Sequence, residues 1–77
     1  PKASLNEANM THCDLSHSNL RGAHLHGARL ENAHIADVNL DYADLSHAIL
    51  SGADLHRSEL QHVNLSHALL ECVDLSY

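Results

Sequence analysis

The chain has no Phe and no Trp, and its aromatics are two Tyr. Large aromatic anchors therefore cannot hold a core together. One Pro and three Gly in 77 residues are too few for the punctuation of a loop-rich domain. Four basic residues stand against ten acidic ones, which excludes the basic face that bulk nucleic-acid binding requires. No apolar run approaches a membrane span, and no signal-peptide pattern is present. There is no CxxC zinc spacing, no phosphate-cradling Gly-rich loop and no HExxH. What is present is a 44% hydrophobic chain with nine His. That apolar share is too high for simple disorder. The length allows one small domain, marginal without help. Protonating all nine His would more than cancel the formal charge of −6, so the surface field should reverse sign in mild acid.

The organising feature is a repeat of period five. Stepping from Leu5 gives Met10, Leu15, Leu20, Leu25, Leu30, Ile35, Leu40, Leu45, Leu50, Leu55, Leu60, Leu65, Leu70 and Leu75. Two residues before each stands Ala, Ser, Cys or Val, from Ala3 to Val73. The other three positions are almost all polar. A helix cannot carry this pattern: five residues advance about 500°, so the Leu row would spiral around every face. One long strand cannot either, because its side chains alternate with period two. The pattern fits if each pentapeptide forms one side of a coil. The small residue and the Leu then point inward, the residue between them points out, and the last two turn a corner. The fifteen aliphatic residues form the expected core, and the chain is all-β.

Ala43-Asp44-Leu45-Ser46-His47, Ala53-Asp54-Leu55-His56-Arg57 and Ala8-Asn9-Met10-Thr11-His12 resemble the A(D/N)LXX motif of the pentapeptide repeat family, and the resemblance covers essentially the whole chain. It implies a right-handed quadrilateral parallel β-helix with four repeats per coil, so that residues twenty apart are neighbours. Fifteen repeats then make just under four coils, one domain over residues 1–77. The chain starts in mid-pattern without an initiator Met, and we expect it to be part of a longer protein or to lack its caps. At some second positions His24, Arg29, His34, Ile49, Glu59 and Leu69 replace Asp or Asn; these are outward-pointing.

Stacking by twenty places the chemistry. Cys13 falls in the small inward row and Cys72 at an outward corner, about 14 Å apart along the stack, too far for a disulfide. His47 and His67 share a corner column. Asp14, His34, Asp54 and Asp74 share an outward column, with His56 beside Asp54. His24 and His26 lie near Asp44. His34, Asp54, His56, His47 and His67 are the candidate metal ligands. Partners that orient such ligands are not evident from sequence, so we expect no resident metal and no cofactor. Ser16, Ser46, Ser51, Ser66 and Ser76 suit corner positions. A filled rod offers neither the pocket nor the oxyanion hole that a triad needs, so we expect no enzyme.

Binding remains. The first expectation is a non-catalytic scaffold for a protein partner, through Ile49 and Leu69 stacked with Arg29 beneath. The partner's identity is open. The second comes from the resemblance: some bacterial members mimic duplex DNA and bind type II topoisomerases. Here the acidic surface of Asp14, Asp37, Asp44, Asp54 and Asp74 would supply the potential, diluted by Arg21, Arg29, Arg57 and the histidines. A third is a recognition module of a larger bacterial effector or enzyme. Uncapped ends, presenting Leu5, Met10 and Leu15 at one end and Leu65, Leu70 and Leu75 at the other, suggest self-association. No direct nucleic-acid or membrane contact is expected. The resemblance implies a bacterial cytoplasmic location first, with secretion or the thylakoid lumen as alternatives.

Overall fold

Every ladder contact in the computed structural model, which describes residues 4–76, joins residues twenty apart and runs parallel. Arg29 pairs with Asn9 and Ile49, and Ile49 with Leu69. Asp14, His34, Asp54 and Asp74 pair in the same way. One circuit of the chain therefore takes four pentapeptides. Ala3, and the ends of the 1–77 domain assignment, lie outside the described residues.

The backbone hydrogen bonds explain why each outward residue pairs. Arg29 donates its N–H to the Ala8 carbonyl (2.8 Å), and its own carbonyl accepts from the Met10 N–H (2.7 Å). It thus spans the two inward residues of the circuit below. The ladder consists of single paired residues rather than continuous strands. Two of every five residues are taken by a turn, which leaves one residue per side in full register. The turns join the stack as well: Glu7 N–H reaches the His26 carbonyl at 2.8 Å, and His47 N–H reaches the Ser66 carbonyl at 2.8 Å.

Each corner is a four-residue turn from the Leu to the next small residue. Ala48 N–H, for example, returns to the Leu45 carbonyl at 3.0 Å. The third residue of the turn has positive φ throughout, from Glu7 at 61° to Cys72 at 58°, as type II turns require. Outside glycine this conformation costs about 1–2 kcal/mol per residue. At Gly52, with φ of 74°, a Cβ would also run into the Asn32 side chain. One corner is built differently. Val38 N–H donates to the Ser58 hydroxyl (3.2 Å) one circuit on. That hydroxyl in turn donates to the Ile35 carbonyl. Ser58, at an inward small position, thereby bridges a turn that lacks its own bond.

The interior is the expected double row. Leu25, Leu30, Leu40, Leu45 and Leu50 are 1% exposed, with Met10, Ile35 and Leu55 also buried. Leu5, Leu15, Leu20, Leu60 and Leu65 are partly buried against them. Two expected core residues depart: Leu70 is 39% and Leu75 53% exposed. No described residue lies one circuit beyond them, and among the described residues their inward side chains meet the circuit below alone. The reason is positional, since their sequence is that of the buried repeats. Urea unfolding followed by circular dichroism should separate the two environments. Leu45→Ala should cost about 2–5 kcal/mol, and Leu75→Ala less than about 1 kcal/mol. Equal losses would contradict this packing.

Candidate functional site

The second position of the repeat carries a structural task that determines which acidic groups are free. At Asn9, Asp14, Asn19, Asn39, Asp44, Asp54, Asn64 and Asp74 the side-chain oxygen accepts the N–H two residues on, at 3.0–3.2 Å. This Asx turn satisfies a corner N–H that has no backbone partner. At two corners where the second position cannot do this, the circuit below supplies the acceptor: Asn6 accepts from His26 N–H (2.9 Å) and buried Asp41 from Gln61 N–H (2.8 Å). Asp41 was not singled out from sequence. Its signal is a fourth-position acceptor twenty residues before the N–H that Glu59 leaves uncapped.

The outward aspartates are therefore engaged. The backbone N–H of Ser16 holds the Asp14 carboxyl below its ordinary value of 3.8. The hydroxyls of Ser46 and Ser76 do the same for Asp44 and Asp74, and the His56 ring for Asp54. Asp37, at a corner, faces Arg57 (3.4 Å) and His17 (3.9 Å). The sequence-derived acidic surface is present on the outside, but each member already holds a donor.

Five of the nine His, namely His12, His17, His47, His62 and His67, occupy the left-handed turn position. Histidine is among the residues that tolerate this region best, so much of the histidine content serves the corners. His47 and His67 stack face to face at 4.8 Å, and His26 meets His47 edge-on at 5.2 Å. Tyr42, below His62 (5.0 Å), carries Arg21 over its ring (4.8 Å). In the His47–His67 stack the ring-plane lone pairs run side by side, a poor arrangement for one shared ion.

Two polar groups merit chemical scrutiny. At the first, the Ser46 hydroxyl donates to Asp44 (2.6 Å) and lies 2.8 Å from His26 Nδ1. Its proton is committed to the carboxylate, so His26 Nδ1 is the donor. The order Asp–Ser–His turns the serine proton toward a carboxylate rather than an imidazole, unlike a triad. At the second, Asp54, His56 and Asp74 offer ligand atoms within 4.8 Å of one another, with His56 Nδ1 2.7 Å from Asp54 Oδ1. His34 is next to Asp54 in the ladder but lies outside this trio, while Asp74 joins it. Cys13 and Cys72 are both free, the former half-buried and the latter exposed.

The apolar column is the remaining feature. Ile49 is half-buried, and Leu69 above it is 55% exposed. Leu69 continues into exposed Leu70. Arg29, beneath, is not a free cation: it holds Glu31 through two bonds of 3.0 and 3.3 Å.

Known proteins match this architecture. The family model described as pentapeptide repeats matches residues 2–35 and 39–76 in eight copies. A pentapeptide repeat protein from the Arabidopsis thaliana thylakoid lumen superposes with a TM-score of 0.91 at 37% identity, covering 92% of this chain and 49% of its own. One from the cyanobacterium Cyanothece 51142 gives 0.85 at 38% identity, covering 87% and 46%. One from Nostoc PCC 7120 gives 0.62 at 30%, covering 96% and 65%. The chain thus spans about half the length of the first two. Among curated proteins none matches significantly.

The Asx turns predict an acid limit. Carboxylates held below 3.8 contribute stability that is present above that value and lost as pH falls through their folded-state values. Urea midpoints should therefore drop below about pH 4. Replacing Asp14, Asp44, Asp54 and Asp74 by Asn keeps the acceptor oxygen and should make that drop shallower. An unchanged profile would contradict the assignment.

Proposed function

The chain belongs to the pentapeptide repeat family, and from that premise we propose that it is a non-catalytic scaffold whose solenoid surface docks a protein partner. The family membership also supports reading the winding as right-handed and quadrilateral, with just under four coils. The observation that carries the scaffold reading is the in-register apolar column of Ile49 and Leu69, continued by Leu70. Outward second positions are otherwise polar here, and Asp or Asn would cap the turn at either site. Two aliphatic residues there forgo that bond and expose oily surface, which favours contact with another protein. The Arg29–Glu31 pair supplies a polar rim of the kind that borders such contacts.

DNA mimicry is the second reading. It rests on the formal charge of −6 and on Asp14, Asp44, Asp54 and Asp74 facing outward. It is the weaker one, because these carboxylates cap turns and Asp37 is matched by Arg57. A recognition-module role within a larger effector or enzyme is compatible with the scaffold reading and with a chain about half as long as two solved relatives. The location proposed first is the bacterial cytoplasm; the Arabidopsis relative supports the thylakoid lumen among the alternatives. Among the described residues no helix is long and apolar enough to cross a membrane.

Affinity capture from source-organism extract, quantified against Leu69→Asp and against an Asp14→Asn/Asp74→Asn variant, tests these readings. The scaffold predicts a partner retained by the wild type and the acidic-face variant, with at least tenfold loss on Leu69→Asp. Equal capture by Leu69→Asp would sink it. Loss on the acidic-face variant alone would favour mimicry, which a topoisomerase supercoiling assay would then check.

A further inference from the structure

The geometry points to a divalent-cation site on one edge of the solenoid, built from Asp54, His56 and Asp74, which takes a borderline ion such as Zn2+ and ties two successive circuits together. One imidazole and two carboxylates are a donor set suited to such ions. Their ligand atoms already lie within 4.8 Å of one another, so an ion can be reached by side-chain adjustment alone. The ligands are also oriented. Asp54 Oδ1 is fixed by the His56 N–H at 3.1 Å. Asp74 Oδ1 is fixed by the Ser76 N–H at 3.0 Å and its hydroxyl at 2.7 Å. These bonds hold each carboxylate in place and supply the supporting contacts that metal ligands need.

Charge argues in the same direction. Asp54 and Asp74 are paired in register, and like charges directly opposite one another are destabilising. The Arg57 guanidinium makes no ion pair with either: its Nε faces Asp37 at 3.4 Å, and its Nη2 lies 3.4 Å from His56 Nε2. That contact leaves His56 Nδ1 toward the carboxylates. A bound ion replaces the Nδ1 proton, which is released to solvent. Because Asp74 lies one circuit beyond Asp54, occupancy clamps the more exposed end of the stack, where Leu70 and Leu75 pack least.

Isothermal titration with zinc chloride and thermal unfolding of the whole chain test this. His56→Ser and Asp74→Asn place at those positions residues that other repeats already use, as at Ser46 and Asn64, so both variants should fold. The expected result is one ion per wild-type chain and a higher unfolding midpoint with zinc. Each variant should bind about tenfold more weakly or less, while His47→Ser/His67→Ser stays within twofold of wild type. Imidazole NMR of the wild type should show His56 perturbed first. Undiminished binding in His56→Ser and Asp74→Asn, loss confined to the His47/His67 variant, or no heat and no midpoint shift would each overturn the site.

Discussion

The structure depends on one compromise at the corner. To bring a Leu inward on every side, the chain must turn within two residues, and it does so with the second of them in the left-handed region. Eleven of these are not glycine, among them Tyr42, Arg57 and Cys72, each at a conformational cost. The cost is tolerated because the turn delivers the next aliphatic side chain to a filled interior, where burial contributes roughly 1.5–3 kcal/mol per Leu. It also sets turn N–H and C=O groups into the stack above and below. Stability is thus local in sequence terms but nonlocal in contacts, as in solenoids generally. Among the described residues the inward row is least buried at Leu70 and Leu75.

Much of this is legible in the sequence because its signal is redundant. Fifteen inward aliphatics at one spacing exclude both helix and continuous strand, and the stacking by twenty that the family resemblance implies brings Asp54 beside Asp74 and Ile49 beside Leu69. What was not legible depends on side-chain oxygen geometry. The role of second-position Asp and Asn as turn caps needs the corner conformation to be known, and it converts an apparent acidic face into structural acceptors. Ser58 looks like one more small inward residue until its hydroxyl is found bridging the Ile35–Val38 turn. Arg29 was grouped with the apolar column, yet its partner is Glu31, two residues along. The histidine abundance suggested chemistry, and five of the nine prove to be corner residues.

These distinctions shape the functional reading. Where a residue type serves the corner or caps a turn, its recurrence carries little functional information. The residues that break the local rule carry more. Ile49 and Leu69 give up a cap without a visible structural return, and His56 stands where Ser stands in five other repeats, Ser16, Ser46, Ser51, Ser66 and Ser76. The Ser46 constellation shows the converse: an assembly of Asp, Ser and His that looks catalytic by composition is ordered so that the serine stabilises a corner. Family membership leaves the partner open.

The twenty-residue register is the claim on which every column assignment rests, and methyl NOE spectroscopy of the Leu residues tests it most directly. The account predicts cross-peaks linking Leu25 to Leu45 and Leu30 to Leu50. A dominant set of cross-peaks at separations of ten or fifteen residues, or Leu methyl groups exposed to a soluble paramagnetic relaxation agent throughout the interior rows, would contradict it.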